Sequence, residues 1–106
     1  MPIMEISIVP IGTKTPSISR YIAASEKALS KARGIKSQLT SMGTIVEAGS
    51  VGKLLQMALR MHREAFRVGA RRVLTSIKID DRRDKRATIE SKMASVLKKL
   101  QPAKIL

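Results

Sequence analysis

Strand-type and helix-type segments follow one another in this chain in an order that few folds accommodate. Apolar residues recur at every second position in the strand-type segments and at intervals of three or four in the helix-type segments. The order is strand, helix, strand, strand, helix, strand, helix. The segments that carry it are residues 4–9, 17–32, 36–41, 43–49, 51–66, 72–80 and 89–100. The first six elements therefore match a split βαβ arrangement.

This order predicts an α+β, ferredoxin-like βαββαβ fold with an additional C-terminal helix, in one domain over residues 1–106. The short Met42-Gly43 link predicts a hairpin between the second and third strands. Two right-handed crossovers would place the first and third strands at the centre of a four-stranded antiparallel sheet. The first two helices would cover one face. The other face would be open, or covered in part by the third helix or by a second subunit.

Capping residues predict where the helices begin and end. Ser17 and Ser50 are typical N-cap residues for the first two helices. Gly34 and Gly69 are expected to end these helices, and Pro102 is expected to end the third.

Alternation within the first and last strands assigns their side chains to the two faces of the sheet. The inward set is Met4, Ile6, Ile8, Val73, Thr75, Ile77 and Ile79. The outward set is Glu5, Ser7, Val9, Leu74, Ser76, Lys78 and Asp80. Because the sequence has one Tyr, one Phe and no Trp, its core has to be aliphatic, with Met filling gaps.

Two glutamates lie within strand-type segments, where a carboxylate is costly unless it is paired or hydrogen-bonded. Glu5 and Glu47 would share the open face if the register of the two strands allows it. One interpretation is a solvated or ion-paired surface, for example Glu5 with Lys78. The other is a carboxylate site for a polar or cationic ligand. The sequence leaves both open.

Net charge is the outlying property of the composition. Twenty-one Lys and Arg residues oppose eight Asp and Glu residues, which gives +13 at pH 7. Such a charge attracts polyanions, so a nucleic-acid-associated protein is an alternative function. However, Tyr21 and Phe66 both lie in helical segments, and a ferredoxin-like sheet that binds RNA normally stacks bases on strand aromatics. The basic clusters, residues 71–72 and 82–86, are typical of a solvated surface.

Catalytic and metal sites have little support in the sequence. There is no Cys, and His62 is the only histidine, so neither a thiolate nucleophile nor a usual zinc site can form. The Gly12–Thr15 loop lacks the first glycine of a phosphate-binding loop. We therefore expect no enzyme activity, no metal and no cofactor. No signal peptide or membrane-spanning segment is recognisable, which favours a cytoplasmic protein.

Several short segments together resemble one known family. They are EISIVPIGT (5–13), PSISRYI (16–22), MGTIVE (42–47), GARRV (69–73) and IKIDDRRDK (77–85). In order and spacing they are similar to the small thiamine-binding proteins. The resemblance covers nearly the whole chain. It implies a ferredoxin-like fold, dimers through the sheets and often tetramers, a cytoplasmic location, and binding of thiamine or its hydroxymethylpyrimidine moiety without catalysis.

The resemblance also implies a set of binding residues. These are Glu5, Ser7, Thr44 and Glu47, with Ser17 and Ser19 nearby. A carboxylate can accept from the aminopyrimidine or offset the thiazolium charge, and hydroxyls can hydrogen-bond ring nitrogens. Because the chain is strongly basic, a phosphorylated thiamine or pyrimidine would suit its charge better than a free cation.

Overall fold

A computed structural model describes residues 1–100 of the chain. Its elements in chain order are β1 (Ile3–Pro10), α1 (Ser19–Ser30), β2 (Ile35–Leu39), β3 (Thr44–Ala48), α2 (Val51–Arg67), β4 (Val73–Asp80) and α3 (Ile89–Leu100). The four strands form one antiparallel sheet in the order β2-β3-β1-β4. The predicted ferredoxin-like arrangement, with the first and third strands at the centre, is therefore confirmed.

The core lies between the sheet and the first two helices. Met4 and Val46 on the central strands, and Leu54 and Met57 on α2, are each 0% exposed. Burial of one such side chain stabilises the fold by about 1.5–3 kcal/mol. The predicted alternation in β1 is confirmed. Along β4, however, Ile77 is 40% exposed, because β4 is an edge strand and the helices cover it incompletely.

The caps agree with the sequence in part. Ser50 is the N-cap of α2, and its hydroxyl accepts a hydrogen bond from the Lys53 amide at 3.1 Å. The prediction for α1 is wrong by one residue. Ile18, which packs against the core, holds the N-cap position, while Ser17 is exposed and precedes the helix. Core packing of Ile18 therefore sets the start of α1 in the absence of a side-chain cap.

Two of the three predicted helix ends can be compared with the structure. Helix α1 ends at Ser30, earlier than predicted, and Gly34 takes a positive φ of 74° in the turn that leads into β2. Gly69, at φ 113°, follows α2 as expected. The predicted stop at Pro102 lies outside the described residues.

The first turn of α3 covers one end of the open sheet face. Ala87 and Ile89 are buried there, and two ion pairs, Lys36 with Glu90 and Lys92 with Asp80, join α3 to the sheet. The hydrogen bond from Lys36 lowers the pKa of the Glu90 carboxyl and raises that of the Lys36 ammonium.

The remainder of α3 leaves its apolar stripe exposed. The exposed side chains are Met93, Val96, Leu97 and Leu100. On the uncovered end of the sheet, Val9 and Leu74 are also exposed. Across residues 1–100, no helix is both long enough and apolar enough to span a membrane.

Candidate functional site

A cleft of about 1210 Å³ lies where β3 separates from β1. Strand β1 pairs with β4 from Ile3 to Pro10, but it pairs with β3 only from Ile3 to Ile6. Its last four residues therefore have no β3 partner on that side. The cleft occupies this space, with α1 on one side and the β2–β3 hairpin on the other.

The hairpin has a defined geometry at the cleft. The Thr40 hydroxyl donates to the Gly43 carbonyl at 2.8 Å and accepts from the Gly43 amide at 3.1 Å. A Cβ atom on Gly43 would lie 2.9 Å from the carbonyl oxygen of Ile6, which is closer than real Cβ atoms come. Glycine at this position therefore allows β3 to approach β1 just before the two strands separate.

The walls of the cleft are largely apolar. Ile22 of α1, Met42 of the hairpin and Ile8 of β1 are among the side chains that line it. Met42 is 85% exposed, so its flexible thioether side chain is free to pack against a ligand. An apolar cleft with a few polar groups is the usual form of a small-molecule site.

Glu26 is the single carboxylate among the cleft residues. It is half-buried on α1, and its Oε1 accepts a hydrogen bond from Thr44 Oγ1 at 3.1 Å. Six of the eight acidic residues of the chain form ion pairs, whereas Glu26 has no Lys, Arg or His nitrogen within 4.0 Å among residues 1–100. Thr44 thus holds in place a carboxylate that forms no ion pair within residues 1–100.

Four of the six predicted site residues line this cleft: Ser7, Ser17, Ser19 and Thr44. They come from β1, from the approach to α1, from its first turn and from β3. Ser17 and Ser19 lie at the start of α1, whereas Ser7 belongs to the set of β1 side chains that faces the open side of the sheet, so it lines the cleft at the edge of the strand. The Thr44 hydroxyl is already engaged with Glu26. The structure therefore brings most of the predicted hydroxyls together around one space.

Glu5 and Glu47 do not line the cleft. They share the open face, because Glu5 pairs with Ile45 and Ile3 pairs with Glu47 in the register of β1 and β3. Glu5 lies 3.3 Å from the Lys78 ammonium, its cross-strand neighbour. The two glutamates lie on the same face, as the sequence allowed, but outside the cleft.

Glu47 has a structural partner of its own. Its side chain is buried, with the residue 6% exposed, and Oε1 accepts from the Ile89 amide at 2.8 Å. Ile89 is the first residue of α3, so the carboxylate satisfies one of the amides that every helix start leaves without an intrahelical partner. Glu47 thereby ties α3 to the sheet.

Sequence reasoning missed Glu26. The available signal was its spacing: Glu26 follows Ile22 by four residues, so both lie on one face of α1, and it is the only acidic residue of that helix. What the pattern did not contain was the contact with Thr44, which depends on how α1 packs on β3. Within residues 1–100, no group of three or more His, Asp or Glu residues is placed to hold a metal ion.

Comparison with known proteins agrees with the fold and with the resemblance. A family model described as thiamine-binding protein matches residues 4–97. The UPF0045 protein YqgV of Bacillus subtilis is 49% identical over 105 residues, which cover 96% of this chain and 100% of the relative. A UPF0045 protein of Methanothermobacter thermautotrophicus is 35% identical over 96 residues, covering 91% and 96% of the two chains.

Two solved structures are similar to this chain. The hypothetical protein MJ1052 of Methanocaldococcus jannaschii has a TM-score of 0.81 at 33% identity, with 90% of this chain and 94% of that chain covered. A Thermotoga maritima protein, described provisionally as a thiamine biosynthesis/salvage protein, has a TM-score of 0.74 at 21% identity, with 90% and 97% covered. The second likeness shows the fold alone. The family match and the curated relatives show that the chain belongs to the thiamine-binding protein family.

Proposed function

We propose that the cleft between α1, β1 and the β2–β3 hairpin binds thiamine or a related hydroxymethylpyrimidine compound. The observation that carries this proposal is Glu26, a half-buried carboxylate with no cationic nitrogen within 4.0 Å among residues 1–100, in a cleft whose exposed surface is largely apolar. Membership of the thiamine-binding protein family supports the choice of ligand.

The chemistry of the cleft suits such a ligand. Thiamine joins an aminopyrimidine to a positively charged thiazolium. Glu26 can accept a hydrogen bond from the amino group or lie beside the cationic ring, and either contact is charge-assisted. Ile22 and Met42 offer apolar surface for a ring face, and the hydroxyls of Ser17 and Ser19 at the start of α1 are close enough to the cleft to serve ring nitrogens.

The proposed role is that of a carrier or buffer that binds its ligand without changing it, in the cytoplasm. The absence of Cys and the single His in the sequence support a non-catalytic role. His62 has its own partner, because its Nδ1 lies 2.7 Å from the Thr75 hydroxyl between α2 and β4. It does not line the cleft.

The proposal includes a homo-oligomer formed through the open sheet face. Val9 and Leu74 are exposed on that face, and Val96 and Leu97 are exposed on α3, whose first turn covers the other end of the face. Such apolar surfaces are typical of association between copies. Light scattering coupled to size exclusion is expected to give a dimer or tetramer for the wild type and a smaller species for Leu74→Lys. A monomeric wild type would refute this part of the proposal.

The experiment that tests ligand binding is thermal unfolding with and without the ligand. Because the chain has no Trp, unfolding is best followed by calorimetry or circular dichroism. Thiamine at 100 times its Kd stabilises a protein by about 2.7 kcal/mol. For a domain of this size that corresponds to a rise in Tm of roughly 10–20 °C.

Matched ligands separate specific binding from simple charge attraction. Hydroxymethylpyrimidine tests the ring without the cation, and choline tests a quaternary cation without the ring. Thiamine or hydroxymethylpyrimidine is expected to raise the Tm in a saturable manner, and choline is not. The proposal fails if neither ring compound raises the Tm, or if choline raises it as much as thiamine does.

A further inference from the structure

A basic groove runs along the surface where α1 and α2 pack together, with a volume of about 300 Å³. Small side chains of α1, Ala24 and Ala28, form part of its lining. Five cationic residues line it as well: Lys27, Lys31, Arg60, Arg63 and Arg67. One acidic residue, Glu64, lines the same groove.

The sequence spacing of these cations places them in two facing rows. Lys27 lies in the last turn of α1 and Lys31, four residues later, is its C-cap residue with helical φ and ψ, while Arg60, Arg63 and Arg67 are three and four residues apart on α2. Side chains at these intervals lie on one face of a helix, and like charges so placed destabilise it. The rows therefore have an electrostatic cost that a bound anion would remove.

Most of this charge is not neutralised within the described chain. Arg67 is paired with Glu64. Lys27, Lys31, Arg60 and Arg63 have no carboxylate oxygen within 4.0 Å among residues 1–100. All four of these side chains are exposed, so their donors are open to a ligand from solvent.

The groove adjoins the cleft that holds Glu26. Lys27 and Arg67 line both spaces. Lys27 is also the next residue after Glu26 on α1. A ligand in the cleft therefore meets a carboxylate inside and a row of cations outside.

We propose that the preferred ligand is a phosphate ester of the ring compound, with the ring in the cleft and the phosphate on the basic groove. This inference rests on the proposed function and adds the class of ligand. A phosphate monoester carries a charge of about −1.5 to −2 at pH 7 and offers three acceptor oxygens. Arg63 and Arg60 can bind it in a bidentate manner, which a free hydroxyl of the unphosphorylated ligand cannot reproduce.

The same arrangement favours a small anion over a nucleic acid. The two aromatic residues of the chain, Tyr21 and Phe66, lie on helices and line neither space, so the linings of the groove and the cleft contain no aromatic ring on which a base could stack. Continuity of the groove with an apolar cleft instead suits a ligand that has one apolar and one anionic end.

The test compares thiamine with thiamine monophosphate by titration calorimetry on the full chain. The groove variant is Lys31→Gln with Arg63→Gln, since both residues line the groove and not the cleft. The matched control is Arg71→Gln with Lys85→Gln, which removes the same charge from exposed residues outside both spaces. A short oligoribonucleotide and inorganic phosphate complete the set of ligands.

We expect the wild type to bind the monophosphate more tightly than thiamine. The groove variant should bind the monophosphate about fivefold to tenfold more weakly than the wild type does, because it loses two partly screened charge contacts. Its affinity for thiamine should stay within about twofold of the wild-type affinity. The control should keep both affinities within about twofold. The preference for the monophosphate should also shrink from pH 7.5 to pH 5, because the phosphate gains a proton with a pKa near 6.

Each other outcome overturns the inference in a distinguishable way. If thiamine binds as well as its phosphate and the groove variant changes neither, the groove is not a phosphate site and the proposed function stands. If neither compound binds, the proposed function fails together with the inference. If only the oligoribonucleotide binds and the groove variant weakens it, the groove serves a nucleic acid instead.

Discussion

Replacement of Glu47 with alanine tests whether this carboxylate belongs to the structure of α3 or to a ligand site. Its Oε1 accepts from the Ile89 amide at 2.8 Å, and the residue is 6% exposed. Loss of a hydrogen bond to a charged group costs about 1.5–3 kcal/mol. Loss of a negative charge at a helix N-terminus costs about 0.3–1 kcal/mol more. We therefore expect Glu47→Ala to lower the free energy of unfolding by about 3 kcal/mol.

The assay is urea unfolding combined with hydrogen exchange of the α3 amides. A loss of this size corresponds to a fall in Tm of roughly 10–20 °C for a domain of this length. Because Glu47 fixes the start of α3, the Ile89 amide should lose protection first. Glu47→Gln keeps an acceptor oxygen, so it should lose only the charge-dependent part, about 1 kcal/mol.

Glu5→Ala is the matched control on the same face. Glu5 pairs with Lys78 at 3.3 Å, and the Glu5 side chain is 48% exposed, so its removal should cost at most about 1 kcal/mol. The reasoning would be refuted if Glu47→Ala left stability and α3 protection unchanged while thiamine affinity fell tenfold. Glu47 would then act on the ligand, as the resemblance implies.

Two further substitutions probe the hairpin and the α3 contact. Gly43→Ala should lower the free energy of unfolding by about 1–3 kcal/mol, because the added Cβ would lie 2.9 Å from the Ile6 carbonyl oxygen. Urea unfolding identical to that of the wild type would contradict this prediction and show that the hairpin adjusts freely. The hydrogen bond from Lys36 lowers the pKa of Glu90. This pair therefore stabilises the fold fully at pH values above the ordinary carboxyl pKa of 4.5, and the stabilisation is lost as the pH falls through the lowered pKa. The Tm difference between the wild type and Glu90→Gln should therefore be larger at pH 6.5 than at pH 3, and an equal difference at the two pH values would contradict this assignment.

The arrangement of the elements could be predicted because it depends on local patterns. Alternation in β1 and helical spacing in α2 give the faces of those elements directly, and crossover handedness then fixes the strand order. Ser50 was recognisable as a cap because its hydroxyl acts on an amide only three residues away. Ile18 was not recognisable, because its position at the start of α1 results from core packing and not from a capping side chain.

The candidate site was predictable only in part, because its contacts join distant segments. Ser7, Ser17 and Ser19 were identified by the resemblance, and these residues are part of the cleft lining. Glu26 was missed, because its contact with Thr44 spans 18 residues and depends on the packing of α1 against β3. The bond from Ile89 to Glu47 spans 42 residues, and its existence depends on the path of the charged link before α3.

The central claim is that Glu26, inside the cleft, is the carboxylate that recognises the ligand. It is tested most directly by titration calorimetry of thiamine with Glu26→Gln and with Glu5→Gln, each of which removes one negative charge. Glu26→Gln keeps an acceptor for Thr44, so the fold should be unchanged. We expect it to weaken binding about tenfold or more, since a charge-assisted hydrogen bond contributes about 1.5–3 kcal/mol. Glu5→Gln should stay within about twofold of the wild type. Equal affinity in Glu26→Gln and the wild type, with a loss in Glu5→Gln, would contradict the account and place the ligand on the open face of the sheet.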